Sequence, residues 1–280
     1  MPYALPNFPD AAWTALPDAQ AQEAFLQAAR RFWRVPDAVD VLAVPGASAA
    51  IAQIPRLAPA AQVFIPGPTY NEHAASFRAG GWTVSDGAKG AMASVHVHPN
   101  NPDGRRREAA DLAGALRIID ESFCDVMPEA SLIGQSANPG TLVLKSFGKF
   151  WGLAGLRLGL VAGDRDLVGR LAEMLGPWPV SGPALAIGTR ALDDEGWADA
   201  TRLRLAEDAA RLDGMLQTAG AVVVGGTSLF RLYEVDDAAD WQARLGAHHI
   251  WSRIFPYNRK WLRLGLPPAD GWARLDEALR

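Results

Sequence analysis

Ser146-Phe147-Gly148-Lys149-Phe150-Trp151-Gly152-Leu153-Ala154-Gly155-Leu156-Arg157-Leu158-Gly159 is the stretch on which the reading of this chain turns. Of the 27 Lys and Arg residues only four are lysines, Lys89, Lys145, Lys149 and Lys260, so an amine here stands out against an arginine-rich background. A primary amine condenses with an aldehyde to a Schiff base, which a guanidinium does not do in this way. Arg157 follows eight residues later and supplies a permanent cation suited to a phosphate.

Working outward, short apolar runs recur with helical spacers between them. Residues 39–44 end at Pro45-Gly46, and residues 63–65 end at Pro66-Gly67-Pro68. Residues 94–97, 116–119, 141–144 and 158–162 are further candidate strands, and helices are expected at 23–33 and from Ser48. Strands of this kind alternating with helices predict an α/β core with a mostly parallel sheet. An amphipathic stretch at 197–216, stopped by Gly220, reads as a long connecting helix. Beyond it, candidate strands at 221–224, 229–235, 249–255 and 261–266 with a helix at 239–245 describe a small α+β unit. The expected organisation is an N-terminal arm and helix over 1–30, a large domain over 31–190 and a small C-terminal domain over 191–280.

Four more segments carry polar groups at strand ends. Gly46-Ala47-Ser48 begins a helix after a strand, where free backbone N–H groups and a hydroxyl suit an anion; a plain βα turn explains it as well. Tyr70, after Pro68-Thr69, offers a ring for stacking or is a surface-turn tyrosine. Asn101, held out of the helical region by Pro102, offers an amide or simply marks an Asn-Pro turn. Asp120 closes an apolar strand, where a carboxylate is costly unless paired. Its partner is either a helix N-terminus or a protonated ring nitrogen. With Ser146 and Arg157 around a phosphate, a lysine Schiff base and an acid for a ring nitrogen, the set fits pyridoxal 5′-phosphate (PLP). Arg263, inside the apolar run Trp261-Leu262-Arg263-Leu264, suits the carboxylate of an amino-acid substrate, or faces outward on an edge strand.

Composition excludes other classes. A net charge of -4 and a pI near 5.7, with dispersed arginines, argue against a nucleic-acid partner. Cys124 is the sole cysteine, which rules out an internal disulfide and favours a reducing compartment. No apolar run reaches the roughly 18 residues of a membrane span, and the first residues lack a signal-peptide pattern, so a cytoplasmic protein is expected. His96 and His98 alternate on one strand, but with no third ligand evident no metal is expected. No dinucleotide, Walker or Ser-His-Asp pattern is present.

Asn101, Asp120, Lys149 and Arg157, in this order, resemble the aspartate-aminotransferase superfamily, fold type I of PLP enzymes, over most of the chain. Finer similarity is to the threonine-phosphate decarboxylases of cobalamin biosynthesis. It rests on Ser-Phe-Gly-Lys-Phe at 146–150, Trp-Pro-Val-Ser-Gly-Pro at 178–183, Ala-Leu-Asp-Asp-Glu-Gly-Trp at 191–197 and Trp-Leu-Arg-Leu-Gly-Leu-Pro at 261–267. Histidinol-phosphate aminotransferases are the rival. The resemblance implies that Lys149 bonds the cofactor aldehyde, Asp120 pairs with the ring nitrogen, Asn101 bonds the ring oxygen and Tyr70 stacks on the ring. Gly46, Ala47, Ser48, Ser146 and Arg157 would surround the cofactor phosphate, and Arg263 would hold the substrate carboxylate. It further implies a homodimer that turns L-threonine O-3-phosphate into (R)-1-amino-2-propanol phosphate.

Departures from the family pattern are Phe123 where a tyrosine is common, Gly148 where Ser or Thr often stands, and Leu16-Pro17-Asp18 in place of Tyr-Pro-Asp. The short spacing between Asn101 and Asp120 implies a trimmed helix, and an arm that starts late leaves the substrate-phosphate site incomplete.

Overall fold

Residues 93–97 and 159–163 are buried without interruption, the mark of strands covered on both faces. They belong to the central sheet of the computed structural model, which describes residues 2–5, 7 and 10–280. The strands are β1 (Asp40–Val44), β2 (Gln62–Phe64), β3 (Thr83–Ser85), β4 (Ala93–Val97), β5 (Leu116–Asp120), β6 (Thr141–Ser146) and β7 (Gly159–Gly163), in the order β1-β7-β6-β5-β4-β2-β3. All neighbouring pairs from β6 through β3 are parallel, while β7 runs antiparallel to both β1 and β6. The helices of this part are α1 (Ala11–Thr14), α2 (Ala19–Trp33), α3 (Ala47–Gln53), α4 (Asn71–Ala79), α5 (Arg165–Leu175) and α6 (Gly182–Asp193).

Each helix has a local reason. In α2, Asp18 accepts a hydrogen bond from Ala21 N–H at 2.8 Å, and Phe25, Ala28, Ala29 and Trp33 form the buried stripe. Asp18 therefore caps this helix. In α5, Asp164 receives the N–H groups of Asp166 and Leu167, and in α6 Ser181 receives that of Ala184. Parallel neighbours usually need a helical crossover. Here β4 and β5 are joined through a single 3-10 turn, Ala109–Asp111, and β5 and β6 through three such turns. The expected trimmed helix is thus reduced to no α-helix at all. One core lies between the sheet and α3, α4 and α5, built on Val63, Phe77, Ile118, Leu144 and Val161. Each such side chain contributes about 1.5–3 kcal/mol on burial.

Contacts divide the chain into two units, one of residues 2–99 and 106–195, the other of residues 100–105 and 196–280. Segment 100–105 joins the second because Gly226 N–H donates to Asp103 O at 2.8 Å. That unit holds α7 (Glu195–Thr218), β8 (Val222–Thr227), β9 (Phe230–Glu234), α8 (Ala238–Ala247), β10 (Arg253–Phe255), β11 (Asn258–Gly265) and α9 (Trp272–Leu279). Its sheet is antiparallel with order β10-β11-β9-β8, packed on Leu212, Tyr233, Trp241, Leu262 and Trp272. The strand expected over 249–255 shortens to three residues. His249 takes a left-handed φ of 58° and Ile250 N–H closes α8 onto Leu245 O, so those residues end a helix instead.

Candidate active site

Register alone gathers the sequence candidates of the first unit. Val97, Asp120 and Leu144 are aligned across β4, β5 and β6. Gly159 pairs with Val44 on one side and Ser146 on the other. Because two antiparallel pairings restore the direction, β1 ends on the same edge as β5 and β6. The segments carrying Ser48, Tyr70, Asp120, Ser146 and Lys149 all follow strand C-termini on that edge, where open α/β sheets bind ligands.

Asp120 is 2% exposed, yet its carboxylate is well served. His73 of α4 places Nε2 2.8 Å from Oδ2. A carboxylate only accepts, so Nε2 is the donor. Ser122 gives both its N–H, at 2.9 Å, and its hydroxyl, at 2.5 Å, to Oδ1. Burial pushes the carboxyl upward, but the His73 hydrogen bond and charge, with the two Ser122 bonds, hold it below the usual carboxylate range. A buried anion at a strand end is the outcome.

The phosphate candidates meet around two glycines. Gly46 has a φ of 81°, and a Cβ there would lie 2.5 Å from Arg157 Nη2. Only glycine admits the guanidinium over the start of α3. A Cβ at Gly159 would lie 2.9 Å from Ala47 N. Arg157 itself holds a left-handed φ of 53°, a strained setting for a side-chain-bearing residue, with Nη1 donating to Ala154 O at 3.0 Å. Ser146 Oγ receives Gly148 N–H at 3.2 Å. Ser48, Lys149 and Arg157 are solvent-exposed. Burial raises the Tyr70 hydroxyl, Glu72 and Asp120 raise it further, and Arg157 opposes them, so the ring lies in the field of both site charges. Lys149 Nζ stands 5.3 Å above the Phe123 ring, so the residue replacing the common tyrosine faces the lysine.

Asn101 and Arg263 belong to the second unit and meet there. Arg263 Nη1 donates to Asn101 Oδ1. A guanidinium has donors alone, so this contact takes the amide oxygen and leaves the Asn101 NH2 as the group available to an acceptor. Burial lowers the Arg263 pKa and Arg253, directly opposite it in register, lowers it further. Arg263 takes part in no ion pair among the described residues.

Three residues escaped the sequence reading: His73, Ser122 and Arg253. His73 follows Tyr70 by one helical turn, a signal visible only once that tyrosine is placed on a helix start. Ser122 follows Asp120 by two residues, the spacing of an Asp side chain that turns back on its own chain. Arg253 becomes evident from the β10–β11 register. His98, the residue after β4, acquires neighbours that spacing alone hides, for His98, Glu121 and Cys124 bring ligand-type atoms within 4.8 Å of one another. The histidine and the carboxylate are already engaged. His98 Nδ1 accepts Arg107 N–H at 2.8 Å, leaving Nε2 to donate to Ala130 O at 2.7 Å. Glu121 binds Lys145 at 2.5 Å, and burial raises the Cys124 thiol. His96 stays neutral, pushed down to about 4 mainly by burial.

A buried carboxylate anion, a lysine at the same sheet edge and a glycine-lined arginine cradle fit PLP: an acid for the ring nitrogen, an amine for the aldehyde and donors for the phosphate. The fold and this donor set define a class I/II aminotransferase-type enzyme. The chain matches the aminotransferase class I and II family over residues 10–90 and 89–279 and belongs to it. Within that family it is 42% identical to a threonine-phosphate decarboxylase from a Sinorhizobium species over 296 residues, covering 99% of this chain and 88% of that protein. It is 39% identical to the threonine-phosphate decarboxylase of Pseudomonas aeruginosa over 299 residues, with coverage of 99% and 88%. The histidinol-phosphate aminotransferase of Sinorhizobium meliloti, solved in complex with pyridoxal-5′-phosphate, matches with a TM-score of 0.83 at 19% identity, covering 97% of this chain and 85% of that one. At that identity the likeness is one of fold.

Proposed function

We propose that the chain is a PLP-dependent carboxy-lyase that converts L-threonine O-3-phosphate to (R)-1-amino-2-propanol phosphate, as in cobalamin biosynthesis. Near-full-length similarity to two threonine-phosphate decarboxylases supports the substrate. The single structural observation that carries the chemistry is the buried, hydrogen-bonded anion of Asp120.

Bound at this sheet edge, PLP supplies an electron sink for the pair released when a bond to the substrate α-carbon breaks. Asp120 keeps a proton on the ring nitrogen, because a buried anion stabilises a cation beside it. Lys149 would hold the cofactor aldehyde through its amine and would serve as the group that moves a proton at the substrate α-carbon. Tyr70 would cover one face of the ring and keep water from it. Gly46, Ala47 and Ser48, with Ser146 and Arg157, hold the phosphate and so fix the ring's orientation. In the same reading Asn101 donates to the ring oxygen and Arg263 grips the substrate carboxylate. No helix among the described residues is long and apolar enough to cross a membrane. A cytoplasmic homodimer is part of the proposal, tested by light scattering of the purified holoenzyme.

An aminotransferase would use the same residues to remove the α-hydrogen rather than the carboxylate. Incubation with threonine phosphate and no keto acid separates the two. Continued release of carbon dioxide and amine supports the lyase; a single half-turnover that converts the cofactor to its amine form overturns it.

A further inference from the structure

We propose that Asp125 is a positioning residue that locks the Lys149 segment to the turn after β5; this rests on reading Lys149 as the cofactor lysine. Asp125 lies five residues beyond Asp120 and is 3% exposed. Each carboxylate oxygen receives one indole. Trp33 Nε1 donates to Oδ1 at 2.8 Å and Trp151 Nε1 to Oδ2 at 3.1 Å. Trp33 ends α2, whereas Trp151 follows Lys149 by two residues. The Trp151 ring stacks on Phe147, two residues before Lys149, at 5.8 Å and 26°. Leu153 N–H to Phe147 O and Gly152 N–H to Lys149 O, both 3.0 Å, close the segment. The lysine thus rides on a small loop whose aromatic base is pinned by one carboxylate.

The surrounding charge makes stability a poor reason for that carboxylate. Lys145 Nζ lies 2.5 Å from Glu121 and 3.8 Å from Asp125, so one buried ammonium faces two buried acids. Glu121 is satisfied further by Ser131 Oγ at 2.7 Å and Leu132 N–H at 2.5 Å. Buried ionic clusters of this type are often replaceable by apolar groups at no loss of stability. What an apolar group cannot do is receive two indole N–H groups from two different elements at fixed angles. The cluster lies on the sheet face opposite the Asp120 side chain, which meets α4, so it shapes the site from beneath without touching it.

The test compares wild-type holoenzyme with Asp125→Asn, Trp151→Phe and the double variant Asp125→Asn/Trp33→Phe. An amide has a single acceptor oxygen, so Asp125→Asn sets one indole against an N–H. Expected are a fall in kcat on the order of ten- to a hundredfold, the scale of a misplaced catalytic group, with KM for threonine phosphate little changed. Amide hydrogen exchange should rise in residues 147–153 while β4 and β5 keep their protection. Trp151→Phe keeps an aromatic ring against Phe147 and deletes the N–H together with part of the indole; it should reproduce both effects and serves if Asp125→Asn fails to fold. The double variant frees the amide oxygen for Trp151 and should regain most of kcat. Unchanged kcat in both single variants, or exchange rising evenly over the sheet, overturns the proposal. Borohydride labelling of wild type reads the underlying assignment separately. If the label falls elsewhere than Lys149, that assignment fails, while the exchange data still report whether Asp125 holds the loop.

Discussion

His73→Leu isolates what keeps Asp120 ionised. The histidine gives the Asp120 carboxylate a 2.8 Å hydrogen bond in a site where both side chains are nearly inaccessible. A hydrogen bond to a charged group is worth about 1.5–3 kcal/mol. Removing it while desolvation persists should raise the Asp120 pKa. Folding lowers this pKa, so the carboxylate stabilises the fold above its unfolded value, and that contribution is lost as pH falls through the folded one. His73→Leu should therefore destabilise the PLP-free protein near neutral pH by a similar 1.5–3 kcal/mol, and the difference should fade in acid. The direct assay is a titration of the Asp120 carboxyl carbon by NMR in PLP-free protein, with Asp120→Asn identifying the resonance. PLP affinity should be lost at a higher pH than in wild type as the solution is acidified, because a protonated carboxyl no longer pairs with a charged ring. His73→Gln, which retains an N–H donor, should lie between. A carboxyl titration unmoved in His73→Leu refutes the argument and leaves Ser122 as sufficient support.

Three further outcomes are expected. Lys149→Ala should leave no borohydride-stable cofactor adduct by mass spectrometry and cost about 10²–10⁴-fold in kcat, the range for a proton-transferring group. Gly46→Ala puts a Cβ 2.5 Å from Arg157 at a φ of 81°, so PLP titration should show weaker binding, with strain of about 1–3 kcal/mol. Arg263→Lys keeps the charge but loses the planar fork and its hold on Asn101; kcat/KM for threonine phosphate should drop about tenfold or more, and an unchanged value would remove Arg263 from the substrate site.

Six strands of the large sheet and the first-unit candidates were legible because each is a short apolar run ended by Gly, Pro or a polar residue, whereas β3, Thr83-Val84-Ser85, has a single apolar residue and was missed. Lys149 could be singled out because the chain uses so few lysines, and Arg157 because it follows that lysine by eight residues. What pattern reading missed depends on partners distant in sequence. Nothing around His73 in Asn71-Glu72-His73 announces a carboxylate 47 residues away. The β10 boundary failed for a local reason, a left-handed His249 that apolar composition does not report. Arg253 and Arg263 lie on different strands, and their pairing follows from a hairpin register that sequence leaves open. The Asn101 amide orientation was undecidable for the same reason, since it depends on the arginine that takes its oxygen.

Asp120 and Glu121 show how one strand end serves two functions. Successive side chains on a strand point to opposite faces. Asp120 shares a face with Ile118 and meets His73 and Ser122 on the helix-covered side, whereas Glu121 turns to the other side and meets Lys145, one residue along β6 from Leu144. Lys145 and Ser146 repeat the alternation, one neutralising Glu121 and the other turning toward Gly148. Each face then has its own electrostatic balance. On one, an anion is left one partner short, so that a cationic ring can complete it. On the other, acids and an amine are tied to one another and to two indoles. A one-residue slip of β5 against β6 would exchange these faces, placing Glu121 toward His73 and Asp120 beside Lys145. The ammonium would then claim the carboxylate that the site needs for a cationic ring. Register here is therefore a catalytic property as much as a folding one. An exchange of the two acids, Asp120→Glu with Glu121→Asp, should preserve the fold's charge count yet shift both carboxylates by a methylene. PLP binding should fall further in that double variant than its unfolding midpoint would suggest.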